Sequence, residues 1–140
     1  MTPEMTLIDD PIKKSDGRKR IDITYNNEAK YGFFNWLSQH YTCPRIYVEC
    51  KNYTSEIANP ELDQLSGRFS RNRGNVGILV CRKIEDKKLF RQRCLDTAND
   101  GRGFILSIDD DDLEKMCDEY MNGGNQNFHT LRDLWDFLID

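Results

Sequence analysis

Arg45-Ile46-Tyr47-Val48-Glu49-Cys50-Lys51-Asn52 is the stretch on which the reading of this chain turns. Ile46, Tyr47 and Val48 are strong strand formers, and Pro44 just upstream marks where the preceding segment must stop. Glu49 and Lys51 break what would otherwise read as the apolar run of a buried strand. Residues two apart on a strand share a face, so the Glu49 carboxylate and the Lys51 ammonium are expected side by side, with Cys50 turned toward the core.

Outward from that strand, the upstream half reads as a meander. Met5-Thr6-Leu7-Ile8 suggests a first strand near 4–8, followed by a turn-rich loop from Asp9 to Arg20 through Pro11 and Gly17. Ile21-Asp22-Ile23-Thr24-Tyr25 is a second strand, with Ile21, Ile23 and Tyr25 on one face and Asp22 and Thr24 on the other. An aspartate within a β-branched run is unfavourable by propensity, so something should compensate for it there. Glu28 to Tyr41 is expected to be helical, its stripe of Phe33, Phe34, Trp36, Leu37 and Tyr41 facing the core.

Downstream the pattern changes to alternating helices and buried strands. Asn59-Pro60-Glu61 is a helix start, and the helix is expected to run through Leu62, Leu65 and Phe69 to Arg73-Gly74. Val76 to Cys81 and Gly103 to Ile108 are continuous apolar runs of the kind found in strands covered on both faces. Between them Glu85 to Asn99 is helical, with Leu89, Phe90, Cys94 and Leu95 on one face and Gly101 past its end. Asp109 to Asp112 open a helix stopped by Gly123-Gly124, and a last amphipathic helix carries Leu131, Leu134, Trp135 and Leu138. The sum is one α/β domain over residues 1–140 with a mixed sheet flanked by helices.

Composition narrows the function classes. A hydrophobic fraction of 38% and a charged fraction of 31% fit a folded globular domain and not a disordered chain. No apolar run is long enough to cross a bilayer, and no signal-peptide pattern opens the sequence, so a membrane partner is not expected. Cys43, Cys50, Cys81, Cys94 and Cys117 form no CxxC pair, which argues for a reducing, cytoplasmic setting. The net charge is −4, yet Arg68 to Arg93 is rich in Arg and Lys whereas the chain from Asp109 onward is acidic. A local basic surface can serve phosphates on an otherwise acidic protein.

If the strands of Asp22 and Glu49 are neighbours, their polar sides place two carboxylates within reach of one ion. Carboxylate oxygens with retained waters suit magnesium. Lys51 could orient or deprotonate an attacking water and offset charge building on a phosphate. Gln64 lies one turn into the following helix, where its amide could hold the lysine, a water or a phosphate. These are parts for phosphodiester hydrolysis. Arg68, Arg71 and Arg73, on or just after the same helix, are candidates for contact with a DNA backbone. The Asp109–Asp112 run lacks EF-hand spacing and reads as a helix start.

Three segments together, Gly17-Arg18-Lys19-Arg20-Ile21-Asp22-Ile23, Val48-Glu49-Cys50-Lys51-Asn52 and Asn59-Pro60-Glu61-Leu62-Asp63-Gln64-Leu65, resemble the PD-(D/E)xK nuclease superfamily. The similarity covers roughly residues 5–108 and is strongest to its bacterial restriction- and defence-associated branches. It implies a restriction-endonuclease-like fold and a metal-dependent endodeoxyribonuclease using Mg2+ or Mn2+. Asp22 and Glu49 would be metal ligands, the Cys50 backbone carbonyl a third, Lys51 the water-activating or charge-stabilising group, and Gln64 the accessory glutamine. DNA is the expected partner, with RNA left open, and double-strand cutting would imply a homodimer.

Two departures accompany the resemblance. Ile21 stands where a proline often precedes the aspartate, and the helix that usually leads the fold is missing before the Asp22 hairpin. The second suggests a domain excised from a longer multidomain chain. The alternative reading is a catalytically inactive domain of the same fold that binds nucleic acid or another protein.

Overall fold

A computed structural model describes residues 5–7, 12–15, 18–51, 59–123 and 127–140, with backbone alone for 5–7, 12–15, 18–21 and 59–60. Six strands, β1 (Met5–Leu7), β2 (Ile12–Ser15), β3 (Arg18–Asn27), β4 (Arg45–Lys51), β5 (Val76–Cys81) and β6 (Phe104–Ile108), form one sheet. Its order is β1-β3-β4-β5-β6, with β2 also on β3. β1 pairs with the Tyr25–Asn27 end of β3 and β2 with its Arg18–Ile21 end, so the two share one edge. β3 and β4 are antiparallel, whereas β4, β5 and β6 are parallel, which makes the sheet mixed as expected. Parallel neighbours need a crossover, and the helices α2 (Asn59–Ser66) and α3 (Lys87–Asn99) supply them. The other helices are α1 (Gly32–His40), α4 (Asp110–Gly123) and α5 (His129–Ile139). None of the described helices is long and apolar enough to cross a membrane.

The two faces of the sheet are covered differently. On one, Gly77 of β5 lies so close to Leu65 and Phe69 that α2 and its exit rest on the strand. Cys94 of α3 hydrogen-bonds Ser107 of β6 on that same face. On the other, Ile23, Val48, Ile78 and Ile108 meet Phe34 of α1, Leu113 of α4 and Leu131 of α5 around an apolar cavity of about 500 Å3. The core is sealed by Trp135, fully buried, whose ring lies 4.7 Å from Phe104 and 4.9 Å from Tyr41. The closing helix therefore packs on its own domain.

Several boundaries differ from the sequence reading. The stretch expected to be a loop from Asp9 to Arg20 contains β2 and the start of β3, because Ser15 and Arg18 stand in register around a two-residue connection. The strand expected at 21–25 accordingly runs from Arg18 to Asn27. Helix α1 starts at Gly32 and not at Glu28: the Asn27 side chain accepts from the Ala29 N–H (3.4 Å) and donates to the Phe34 carbonyl (3.0 Å), holding the entry in a turn. Helix α2 ends at Ser66 and not near Arg73, so Phe69 packs from the loop beyond it. Helix α3 begins at Lys87, where Asp86 caps it by accepting from the Leu89 N–H at 3.0 Å. Leu89, expected on the buried face of α3 with Phe90 and Cys94, is 41% exposed.

The acidic run is a helix start, as its sequence suggests. The Asp112 N–H donates to Asp109 Oδ1 and the Asp109 N–H to Asp112 Oδ2, each at 3.1 Å, which is a reciprocal cap. Lys87 of α3 bridges both carboxylates, at 3.0 Å from Asp109 and 3.3 Å from Asp112.

Candidate active site

The site grows out of the β3–β4 register. Asp22 stands directly opposite Glu49, Thr24 opposite Tyr47 and Arg20 opposite Lys51. Directly opposed residues of an antiparallel pair project to the same side, with Cβ atoms about 5 Å apart. Asp22, Glu49 and Lys51 are therefore on one face at one end of the sheet, the face covered by α2. All three are buried, at 5%, 3% and 7% exposure, in a sheet whose other described buried side chains are uncharged. Lys51 Nζ lies 3.2 Å from Glu49 Oε1.

Cys50 points the other way, into the wall of the apolar cavity, as expected of the residue between Glu49 and Lys51. Its thiol still senses the site: burial pushes its pKa up, and the Asp22 and Glu49 carboxylates add to the rise. Cys81, in register with Lys51 on β5, is pushed up to about 12 by burial first and then by Asp109, Asp110 and Asp112. Both thiols stay protonated at neutral pH, so neither competes as a nucleophile.

The other predicted residues are distributed less evenly. Gln64 is on the exposed side of α2, whose Leu62 and Leu65 are buried. Arg68 reaches back to the site's face, donating from Nη2 to Thr24 Oγ1 at 2.9 Å with its guanidinium 4.6 Å from the Tyr47 ring centroid. The Thr24–Tyr47 pair is two residues along from Asp22–Glu49, about 7 Å. Arg68 thus lies on the same face as the trio, two residues along the paired strands. Arg71 and Arg73 are elsewhere. The Arg45 N–H donates to the Arg73 carbonyl at 3.3 Å, which places Arg73 at the start of β4, and Arg71 lines a cleft of about 610 Å3 with Tyr41 and Arg102. Lys51 is six steps along the strand from Arg45, a distance of about 20 Å. Asn52, the last residue of the opening stretch, lies outside the described residues.

No family model, curated protein or solved structure matches this chain. The site must be read from its own chemistry.

Two carboxylates, a lysine and a nearby guanidinium on one face form a hard-donor set beside cations. Thr24 and Tyr47 are the members that the sequence reading did not single out for the site. Their signal was strand parity, since Thr24 is two residues from Asp22 and Tyr47 two from Glu49, but neither residue type announces a role of holding an arginine. Among the described residues, no group of three His, Cys, Asp or Glu side chains is gathered for a metal. Asp22 and Glu49 provide two carboxylates, and the peptide carbonyl between Glu49 and Lys51 is a third oxygen of the same hard character. That set fits magnesium, which keeps several waters and needs few protein ligands.

Proposed function

We propose that this chain is a magnesium- or manganese-dependent endonuclease of restriction-endonuclease-like fold that hydrolyses DNA phosphodiester bonds. The observation that carries the reading is the placement of Asp22 in register with Glu49, with Lys51 3.2 Å from Glu49 on the same buried face. A role in bacterial restriction or defence belongs to the same proposal and follows from the sequence resemblance.

Asp22 and Glu49 would hold the ion, with the Cys50 carbonyl as a further oxygen. A bound divalent cation supplies Lewis acidity to the scissile phosphate and acidity to a bound water. Lys51 has a role of its own. Its ammonium, 3.2 Å from Glu49 Oε1, would stabilise charge as it develops on phosphate oxygens. Burial strengthens that effect, because a charge acts over a longer range where water is excluded. Arg68, held by Thr24 and Tyr47, adds a second positive group without a flexible side chain having to be ordered during the reaction.

The test is cleavage of supercoiled plasmid and linear duplex in the presence of magnesium. Wild type is expected to cut, and Asp22→Ala and Lys51→Ala each to lose about a hundredfold or more in rate. Wild type that binds DNA and leaves it intact would favour the inactive binding domain. Wild type that neither binds nor cuts would leave only an interaction domain.

A further inference from the structure

The net charge of −4 and the remote position of Arg71 and Arg73 raise the question of how a polyanion is held over Asp22, Glu49 and Lys51. Two basic elements border that end of the sheet. The first is the β2–β3 hairpin. Between Lys13 and Arg20 it carries Lys13, Lys14, Arg18, Lys19 and Arg20 against Asp16 alone. Its register sets Lys14 opposite Lys19 and Lys13 opposite Arg20, and Arg20 stands opposite Lys51. Arg18 and Lys19 therefore lie beyond the last residue of β4, past the site. Like charges directly opposite one another on paired strands are unfavourable, and an anion bound there would relieve them.

The second element follows β5. Cys81 is in register with Lys51, so Arg82 and Lys83 emerge at the same end of the sheet. Both are exposed. The Arg82 guanidinium meets the Asp110 carboxylate at 3.8 Å, and with the two side chains 65% and 60% exposed that contact holds it weakly. Lys87, a little further on, is already committed to Asp109 and Asp112. The acidic start of α4 bounds this surface on its β6 side.

We infer that DNA crosses the site end of the sheet with its phosphate backbone gripped on one side by the β2–β3 hairpin and on the other by Arg82 and Lys83, and not by Arg71 and Arg73. The inference rests on the endonuclease reading for the identity of the polyanion. From β2 to β5 is three strand spacings, about 14 Å. That is about four phosphate steps of one strand, which puts phosphates on both sides of the one at the site under the two elements.

The experiment is fluorescence anisotropy of a short labelled DNA duplex, and of its single strand, over a salt series with calcium in place of magnesium. Three variants are compared: Lys13→Gln/Arg18→Gln/Arg20→Gln, Arg82→Gln/Lys83→Gln, and Arg71→Gln/Arg73→Gln. The first two are expected to bind several-fold more weakly, and the Arg82/Lys83 pair to make the log–log salt slope shallower by about two. The third is expected to bind like wild type. Circular dichroism melting checks folding, and the hairpin variant should melt no lower than wild type because like-charge pairs have been removed. Tighter binding of duplex or of single strand identifies the form of the backbone that is gripped, and either supports the clamp. Weakening confined to the Arg71/Arg73 variant, unchanged binding by both clamp variants, or no DNA binding by wild type overturns it. Clamped binding without cleavage in magnesium sinks the endonuclease reading alone. Cleavage by clamp variants that bind as wild type does sinks the clamp alone.

Discussion

In the proposed endonuclease, Lys51 would tie stability and chemistry together at a single residue. Its ammonium and the Glu49 carboxylate are each under a tenth exposed, so removing one leaves the other charge in a poor solvent. Breaking a buried pair from one side costs about 3–5 kcal/mol, and Lys51→Met is expected to lower the melting temperature as well as abolish cleavage. Thermal melting beside the activity assay separates the two effects: a variant that is folded at the assay temperature and inactive speaks for chemistry. Asp22→Asn offers a readout free of turnover. If Asp22 helps to hold the ion, millimolar magnesium should raise the melting temperature of wild type, since a ligand of the native state alone stabilises it by mass action. The same magnesium should leave Asp22→Asn unmoved. An equal rise in both proteins would remove Asp22 from the metal site.

Secondary-structure elements carry the next set of constraints. Gly103, at the entry to β6, has φ +111°, where a side chain is strained, and a Cβ there would run into the Phe69 ring. Gly103→Ala should therefore destabilise the fold by about 2–4 kcal/mol through backbone strain and displacement of Phe69 together, read as a lower midpoint in urea. A midpoint within error of wild type would mean that the Phe69 loop yields freely. Much at this scale was legible in the sequence. The bounds of β5, Val76 to Cys81, can be read to the residue, because an unbroken apolar run of that length between turn residues suits a strand buried on both faces. The β2–β3 hairpin escapes such a reading, although Asp16-Gly17 is a strong two-residue turn signal. Lys13, Lys14, Lys19 and Arg20 hide it, since a strand of cations has no hydrophobic alternation to detect. The aiming of Asp22 at Glu49 was legible, because parity alone decides it once the strands are neighbours. The locations of Arg71 and Arg73 were not, because they depend on where α2 stops, and Gly67 ends it one turn after Leu62.

Across the whole molecule, the pH range of stability depends on a second charged cluster. Burial acts against both Asp109 and Lys87, but each outweighs that penalty for the other, with Asp112 assisting. Asp109 is thereby held below its ordinary 3.8 and Lys87 above its ordinary 10.5. A depressed carboxylate stabilises above its unfolded value and loses that contribution as pH falls through the native one. A raised lysine stabilises below its unfolded value and loses that contribution as pH rises through the native one. The cluster therefore contributes in full between the two limits. Lys87→Met should cost about 1–2 kcal/mol near neutral pH, discounted for the partial exposure of the lysine. It should also flatten the loss of stability in acid and in strong alkali. Denaturant midpoints across pH that keep both slopes in the variant would refute this.

The alternation of β3 has a further consequence. Ile23 and Tyr25 line the apolar cavity on one side while Asp22 and Thr24 serve the other, and one shift of the strand by a single position would exchange the two sets. Alignment of the two carboxylates and hydrophobic packing are thus a single choice made once by the chain. Errors of alignment cannot accumulate gradually in such an arrangement. A library of single-residue insertions and deletions within β3 should yield unfolded molecules and correctly aimed ones, with almost no well-folded members whose carboxylates miss each other.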